Sequence, residues 1–412
     1  MSACAKTAAA KHEYDRIPYL VAYQNNSAVR DVYGGVAELV VLESYLLKPS
    51  APAHTGPTAA AASDTVLVFM HPIGGGAYLP MINALARAGH HVIYCNSRFR
   101  GTDSALLMEK VVEDLGECIK DAKNRLGYAK VVLAGWSGGG SLSMFYQQQA
   151  QRPTVRASPS GDGPDLTKLG LIPADAIMLL AAHVSRHGTM TEWMDASILD
   201  ENDPTKRDPE LDLYDPDNPN QPPYTPEFLE RYHQAQIARN RRITAWVKTK
   251  LADLRTTGRP GADSAEFAFV VHGTMADPRW LDPTVDPNER TPRTCYLGDP
   301  EVVNMGPVGL ARFCTLRSWL SQWSYDDANA DAVKCGPDIS VPALVIGNLA
   351  DDACTPSHTR RIYEAIGNSD KEMHEIAGAN HYYAGPGQRD KLNEAVGIAT
   401  DWLRRHDLAV TP

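Results

Sequence analysis

The ten residues Val131–Gly140 (VVLAGWSGGG) constrain the fold of this 412-residue chain more than any other stretch. A short apolar run leads into a G-x-S-x-G turn, and residues 141–146 then have helical spacing. Such a sharp strand-to-helix turn strains its central residue, Ser137, and requires small neighbours at Gly135 and Gly139. The letters alone also fit a plain glycine-rich turn. The flanking strand and helix favour a nucleophile at Ser137, raised above a sheet with a helix N-terminus behind it.

Apolar runs of strand length alternate with helical patterns along much of the chain. The sequence predicts strands at 36–47, 65–70, 91–95, 131–134, 176–182, 342–347 and 372–376, and helices at 77–88, 107–126, 357–366 and 389–405. Residues 1–16 are predicted to be a loose lead-in, and residues 49–64 a surface loop. This alternation predicts an α/β fold with a mostly parallel central sheet flanked by helices.

Residues 183–334 interrupt the alternation. They hold a long helical pattern at 226–255 and a tryptophan-bearing stretch at 316–323. We interpret them as a large cap inserted into the core, over the carboxyl edge of the sheet. The predicted domains are therefore a first core part at 1–182, the cap at 183–334 and a second core part at 335–412.

Two aspartates and a histidine follow the late strands of the second core part. Asp351 and Asp352 come just beyond the strand 342–347, and His381 lies in a Gly-Ala-Asn-His loop after the last strand. With Ser137 the chain order is serine, acid, histidine, an order that is specific to one fold among serine-triad enzymes. On these features the chain resembles the α/β-hydrolase superfamily and its serine esterases.

The resemblance covers residues 36–182 and 336–408, while the cap matches no family and leaves the subfamily open. It implies that Ser137 is the nucleophile and that His381 is the general base that takes its proton. Small residues beside His381 leave room for the ring to meet the serine. His71 is the second candidate among 13 histidines, but such folds commonly keep a structural histidine at the end of that strand.

The acid of the implied triad has three candidates. Counting along the strand from Pro342, Asp351 takes the position that resembles the family's acid, whereas counting back from Pro356 selects Asp352. We favour Asp351, because strand geometry holds a carboxylate more firmly than loop length does. Asp277 also follows an apolar run, within the cap, but no helix and histidine loop come after it.

The resemblance also implies an oxyanion hole made of two backbone N–H groups. One belongs to Gly138, directly after the nucleophile, and the other to Ile73 or Gly74 in a His-Pro-Ile-Gly-Gly-Gly turn. Pro72 replaces the glycine that is usual in esterases and has no N–H, so the second donor must lie beyond it. Removing one such donor typically costs about 3 kcal/mol of transition-state stabilisation.

Composition limits the partners. The chain has 50 acidic and 40 basic residues and a net charge of −10, without a long block of either sign, which argues against nucleic acid and against membrane binding. No apolar segment has the length of a signal peptide or a membrane span. The seven scattered cysteines are typical of reduced thiols, so we expect a cytoplasmic protein. The oligomeric state stays open, with a homodimer as one option.

We expect neither a cofactor nor a metal ion. The glycine turn at 71–76 lacks the Lys-Ser/Thr of a P-loop, and no G-x-G-x-x-G opens a helix after the first strand. Adjacent residues of a strand point to opposite sides, so His90 and His91 do not share one ion.

Together these features predict a serine hydrolase that cleaves a small-molecule carboxylic ester through an acyl-enzyme. Tryptophans and methionines of the cap allow an apolar roof, which suits a bulky or apolar ester. The predicted pocket residues are Trp136, Tyr78, Trp319, Trp323 and Tyr382. An acyltransferase, or a hydrolase of C–C or thioester bonds, could use the same triad. A non-catalytic binding module is the third alternative, and the intact serine, acid and histidine set argues against it.

Overall fold

A central sheet of eight strands organises the computed structural model, which describes residues 13–24, 39–50, 63–259 and 262–409. In chain order the strands of these residues are β1 (Tyr14–Gln24), β2 (Leu39–Pro49), β3 (Thr65–His71), β4 (Val92–Asn96), β5 (Lys130–Ser137), β6 (Ala176–Ala182), β7 (Ala268–Val270), β8 (Phe313–Thr315), β9 (Ala343–Asn348) and β10 (Lys371–Ile376). The sheet order is β1-β2-β4-β3-β5-β6-β9-β10, with β7 and β8 forming a separate pair. β2 pairs antiparallel with β1 and β4, and the other neighbours in the sheet are parallel, which confirms the predicted fold class.

The middle strands β3, β5, β6 and β9 are almost entirely buried, as expected for strands covered on both faces. Because they run parallel, their carboxyl ends meet at one edge of the sheet, where ligands of such folds bind. The strands end there at His71, Ser137, Ala182 and Asn348. This edge gathers the side chains on which the candidate site depends.

Helices cover both faces of the sheet. In chain order the α-helices of the described residues are α1 (Pro80–Arg87), α2 (Met108–Asn124), α3 (Gly138–Gln151), α4 (Arg186–Trp193), α5 (Pro226–Arg255), α6 (Pro278–Leu281), α7 (Pro300–Asn304), α8 (Leu316–Ser318), α9 (Ala332–Cys335), α10 (Pro356–Ala365) and α11 (Gln388–Arg405). The apolar sides of α2, α3 and α10 pack on one face, and those of α1 and α11 pack on the other. No helix in the described ranges is both long and apolar enough to cross a membrane.

Most predicted elements lie within a few residues of the observed ones, but the start of the sheet does not. We expected a loose lead-in over 1–16 and an opening strand at 36–47. The structure instead has β1 before β2, while residues 1–12, 25–38 and 51–62 lie outside the described part. β1 is an edge strand with one buried residue, Val21, although residues 17–23 (IPYLVAY) form an apolar run. Pro18 lies within that run, and a proline in a strand is tolerated at a sheet edge rather than in its middle. Its eleven-residue pairing with β2 holds it in place.

Residues 183–342, between β6 and β9, form a segment that we call the insertion. It contains α4 to α9 and the pair β7–β8, and it has apolar clusters of its own. Its long helix α5 has the bounds predicted from the sequence, 226–255. The insertion touches the core through Ser321 Oγ, which accepts from Met108 N and donates to Glu109. The predicted cap boundaries of 183 and 334 stay a prediction.

Candidate active site

Ser137 occupies the turn between β5 and α3. Its φ of 55° and ψ of −126° place a non-glycine residue in strained backbone space. A Cβ on Gly135 would lie 2.5 Å from the backbone oxygen of Gly139, and one on Gly139 would lie 2.7 Å from that of Met70. Only glycine fits at both positions, as the sequence predicts. Close packing of β5 against α3 and β3 thus forces the turn that presents the serine hydroxyl.

Ser137, His381 and Asp351 form one hydrogen-bonded chain at the carboxyl edge of the sheet. His381 Nδ1 lies 2.7 Å from Asp351 Oδ2, and His381 Nε2 lies 3.1 Å from Ser137 Oγ. A carboxylate only accepts hydrogen bonds, so Nδ1 is a donor and Nε2 is free to accept the serine proton. All three side chains are buried. The three predicted residues therefore meet in the geometry that proton transfer from the serine requires.

Of the two neighbouring acids, Asp351 is the one that meets the histidine. The backbone N–H groups of Ala353 and Cys354 donate to Asp351 Oδ1 at 2.7 and 2.8 Å, which leaves Oδ2 for His381. The Asp352 carboxyl is in a different environment. Burial, reinforced by the charge of Asp351, raises the pKa of Asp352 to about 6.

The third candidate acid, Asp277, does not belong to this chain of contacts. It caps α6 by accepting from Arg279 N, and its carboxylate forms a buried ion pair with the Arg279 guanidinium. The strand before it, β7, pairs with β8 rather than with the central sheet. Asp277 is therefore a structural residue of the insertion.

The predicted oxyanion donors differ in their availability. Gly138 is the first residue of α3, and the N–H groups of a first helical turn have no partner within the helix. Gly74, with a φ of 66°, closes a tight turn in which its N–H donates to the His71 carbonyl at 2.8 Å. The prediction of Gly74 as a free oxyanion donor is therefore wrong, because its N–H already has an acceptor within the turn. Ile73 N–H makes only a long contact of 3.4 Å with His71 Nδ1 and is the remaining candidate.

His71, the second candidate base, lies beside the nucleophile turn in a different role. A Cβ on Gly138 would lie 2.9 Å from His71 Nε2, so the ring fills the space next to that glycine. Burial, together with the charge of Arg186, lowers the pKa of His71 to about 3, which leaves the ring neutral at neutral pH. The histidine bonded to Ser137 Oγ is His381.

Two of the five predicted pocket residues lie beside the triad. Trp136 Nε1 donates to the His381 carbonyl at 3.3 Å, and the two rings lie 4.7 Å apart between centroids. The Tyr382 ring lies 5.2 Å from Trp136 and 4.9 Å from His381. Tyr382 is also partly exposed, so an aromatic wall borders the base.

The other three predicted pocket residues are placed differently. Tyr78 is 71% exposed, and its ring carries the Arg16 guanidinium 4.3 Å from its centroid. Trp319 and Trp323 are 0% exposed and belong to an apolar cluster of the insertion. Their assignment to a substrate pocket is wrong, because complete burial in that cluster leaves neither indole a face for a ligand.

A family model provides an independent comparison for this part of the chain. The model, of the alpha/beta hydrolase fold, matches residues 65–157, which run from β3 through the nucleophile turn to the end of α3. The order and direction of the sheet strands agree with it. The chain is an α/β-hydrolase fold protein. No curated protein matches its sequence.

Solved structures similar to this α/β-hydrolase fold protein share little of its sequence. The carboxylesterase Cest-2923 from Lactobacillus plantarum WCFS1 has 12% identity and a TM-score of 0.45, covering 97% of this chain and 100% of that chain. The siderophore hydrolase EstB from Aspergillus fumigatus has 12% identity and a TM-score of 0.47, covering 88% and 94%. The Paleococcus ferrophilus monoacylglycerol lipase has 16% identity and a TM-score of 0.40, covering 82% of this chain and 94% of that chain. Likenesses this distant say nothing about the activity of this chain.

Sequence reasoning missed a second buried histidine at the sheet edge of this α/β-hydrolase fold protein. His183 directly follows β6, and its backbone N–H donates to the Ser137 carbonyl at 3.1 Å. Its ring lies 6.2 Å from that of His381 and 5.7 Å from that of His358. Burial and the neighbouring histidines lower the pKa of His183 well below its ordinary value, so the ring is neutral. Its place after a predicted strand was a signal that could have identified it.

A network of ion pairs contacts His358, and no pattern in the sequence indicated it. Glu192 Oε2 lies 3.1 Å from His358 Nε2 and 2.7 Å from Arg279 Nη2. Burial opposes the charge of Glu192, but Arg279 and His358 outweigh that effect and hold its pKa well below the ordinary range. The partners come from segments up to 166 positions apart, and no local pattern relates them.

One group in the described residues has the spacing of metal ligands. The ligand atoms of Asp351, Cys354 and His381 lie within 4.8 Å of one another, and all three residues are buried. Asp351 and His381 already bond each other, and burial raises the pKa of the Cys354 thiol well above its ordinary value. A protonated thiol is a poor ligand, so this donor set fits the acid–histidine pair better than an ion.

Proposed function

We propose that this protein is a serine hydrolase that cleaves carboxylic esters of small molecules through an acyl-enzyme on Ser137. The observation that carries the proposal is the contact chain from Ser137 Oγ through His381 to Asp351, at the strand ends where such folds hold their ligands. A serine at the elbow also argues against dehalogenases and epoxide hydrolases of this fold, which use aspartate there.

In the proposed reaction, Ser137 Oγ attacks the ester carbonyl while His381 Nε2 takes the hydroxyl proton. Asp351 accepts the Nδ1–H of His381, fixes its tautomer and stabilises the imidazolium that forms. The tetrahedral intermediate then expels the alcohol, to which His381 returns the proton, and an ester of Ser137 remains. His381 next deprotonates a water molecule that attacks the acyl-enzyme and forms a second tetrahedral intermediate. That intermediate expels Ser137 Oγ, to which His381 returns the proton, and the carboxylic acid is released.

The negative charge on the intermediate needs donors that are already in place. Gly138 N–H at the start of α3 and Ile73 N–H after β3 are the proposed pair. One oxyanion donor is typically worth about 3 kcal/mol of transition-state stabilisation. The loop that carries Ile73 is held by two further bonds, from Gly75 N to Asn96 Oδ1 at 3.0 Å and from Gly76 N to the Tyr94 hydroxyl at 2.7 Å. These bonds support a preorganised hole.

The test is hydrolysis of a series of p-nitrophenyl esters followed on the millisecond scale. The wild type should release a burst of about one p-nitrophenolate per active site, because the acyl-enzyme accumulates. Ser137→Ala should retain less than about 1% of the activity with little change in its thermal midpoint. Ser143→Ala changes a buried serine of α3, the helix that follows Ser137; it is the matched control and should keep its activity.

Product analysis with and without an alcohol acceptor separates hydrolysis from acyl transfer. Free acid should remain the main product when the acceptor is present. If the Ser137→Ala enzyme is still active, Ser137 is not the nucleophile. If the ester of the added alcohol is instead the main product in water, the triad assignment stands, but the enzyme is an acyltransferase rather than a hydrolase.

A further inference from the structure

Arg186 brings a buried positive charge to the nucleophile turn. It is the first residue of α4, three positions after the histidine that follows β6, and it is 5% exposed. A Cβ built on Gly138 would lie 3.3 Å from Arg186 Nη1 and 2.9 Å from His71 Nε2. The guanidinium therefore reaches the residue directly after Ser137, whose N–H is the first proposed oxyanion donor.

Its hydrogen bonds leave most of the guanidinium unused. Arginine carries five N–H donors in a planar fork. Within the described part of the chain, the Arg186 guanidinium donates one hydrogen bond, from Nη2 to Asp103 Oδ2 at 3.1 Å. Its Nε is buried and has no acceptor there. A buried donor without a partner destabilises the protein, so a ligand that accepts a hydrogen bond from this guanidinium would remove that cost.

The position of the charge is well defined before any ligand arrives. The guanidinium stacks on Trp323, 4.5 Å from the ring centroid, and Asp103 holds one end of it. The two histidines nearest to the turn, His71 and His183, have pKa values lowered by burial and add no positive charge at neutral pH. Arg186, from the insertion, thus places a positive charge next to the nucleophile turn.

We propose that Arg186 binds a carboxylate of the substrate, so that the preferred substrates are half-esters of short dicarboxylic acids, with the free carboxylate a few bonds from the scissile carbonyl. The proposal rests on the ester hydrolase function proposed above and narrows its substrate class. A monoanion fits better than a phosphate dianion, because Asp103 already offsets part of the single positive charge. Trp136 and Tyr382 would border the carbon chain of the substrate.

The first experiment needs only the wild-type enzyme and pairs of substrates of equal shape. Monoethyl succinate and monoethyl glutarate carry the carboxylate, and ethyl succinamate and ethyl glutaramate carry a neutral carboxamide in its place. Hydrolysis is followed by chromatography of the released acid. A charge-assisted hydrogen bond should raise kcat/KM for one carboxylate substrate about 10- to 100-fold over its carboxamide.

Variants then assign the preference to the guanidinium. Arg186→Gln should lose the preference for the carboxylate substrate, mainly through a higher KM for that substrate. Its kcat/KM for the carboxamide substrate should change less than about threefold. Arg186→Lys keeps the charge without the fork and should recover part of the preference. Arg312→Gln is the matched control, because Arg312 is also a buried arginine of the insertion with an Nε that lacks an acceptor among the described residues. It should keep the full preference.

The outcomes separate this inference from the function on which it rests. If the wild type hydrolyses p-nitrophenyl esters through Ser137 but does not favour the carboxylate, the inference fails and the hydrolase stands. If Arg186→Gln lowers kcat equally on both substrates, Arg186 acts on the oxyanion and the inference is again wrong. If no ester is hydrolysed, the proposed function fails and the inference falls with it. Should Arg186→Gln not fold, the wild-type substrate pairs still decide.

Discussion

The sheet edge and the insertion place their polar groups by different means. At the edge, Ser137 ends the strand β5, while Asp351 and His381 follow the strands β9 and β10. These three strands run parallel in the central sheet, so the order of the strands alone brings the side chains together. In the insertion, Arg186 and Glu192 are placed by ion pairs with residues from distant segments. The difference teaches that a backbone scaffold can be deduced from local patterns, whereas a charge network that joins distant segments cannot.

The two regions also use burial differently. Burial at the edge surrounds reactive groups that still contact one another, as in the His381–Ser137 pair. Burial in the insertion is packing, as for Trp319, which is fully enclosed and donates its Nε1–H to Thr244. Substitutions at the edge should therefore change the kinetics, and substitutions in the insertion clusters should change the stability.

The largest expected effect separates two adjacent residues of the edge. Asp351→Asn should lower kcat about 10³- to 10⁴-fold, because the amide no longer holds the catalytic tautomer of His381. Asp352→Asn should cost less than about tenfold, since its carboxylate is not the one bonded to the ring. The measurement is kcat on one p-nitrophenyl ester, with circular dichroism as the control for folding. An inactive Asp352→Asn enzyme together with an active Asp351→Asn enzyme would show that Asp352, and not Asp351, is the acid of the triad.

A smaller effect should appear in the insertion, and in stability rather than in turnover. Trp319→Ala removes a fully buried indole and should cost about 3–5 kcal/mol of unfolding free energy. At a temperature where the variant is folded, its KM should stay within about twofold of the wild type. Trp136→Ala, beside His381, is the contrasting variant and should lower kcat/KM at a smaller cost in stability. A large change of KM in Trp319→Ala would mean that Trp319 lines the substrate pocket, as the sequence predicted.

The smallest effect is a pH dependence at Asp352. Burial raises its pKa from 3.8 to about 6 in the folded protein, so folding favours the protonated form. The stability associated with that form is full below about pH 4 and is lost as the pH rises through 6. Asp352→Asn should therefore gain stability relative to the wild type between pH 4 and 7, by on the order of 2–3 kcal/mol. Denaturant titrations at several pH values measure it.

A surface variant provides the control for that titration. Asp401→Asn, on α11, changes an aspartate whose side chain is 68% exposed. It should show no comparable gain with pH. A flat response in Asp352→Asn as well would mean that the Asp352 carboxyl is better solvated than its buried position indicates.

Much of the edge could be predicted because its signals are local. The G-x-S-x-G turn predicted Ser137, and counting along β9 selected Asp351. The choice between Ile73 and Gly74 needed more, because both follow the same proline. The positive φ of Gly74, which turns its N–H toward the His71 carbonyl, depends on how the loop packs against Asn96.

The errors elsewhere have related physical causes. The strand β1 contains an apolar run at 17–23, but Pro18 lies within it, and a proline argues against a strand except at the edge of a sheet, where β1 lies. For Trp319 and Trp323, composition cannot distinguish the core of a cap from the wall of a pocket, because both need large apolar side chains. Arg186 was missed because its partner Asp103 lies 83 positions away.

The most direct test of the central claim, that His381 activates Ser137 as a nucleophile, is covalent labelling with a fluorophosphonate probe, with the site located by peptide mass mapping. We expect one adduct per chain, on the peptide that contains Ser137. We also expect that His381→Ala, in which the serine is still present, labels at least about 100 times more slowly. An adduct on another residue, or unchanged labelling of Ser137 in His381→Ala, would contradict the account.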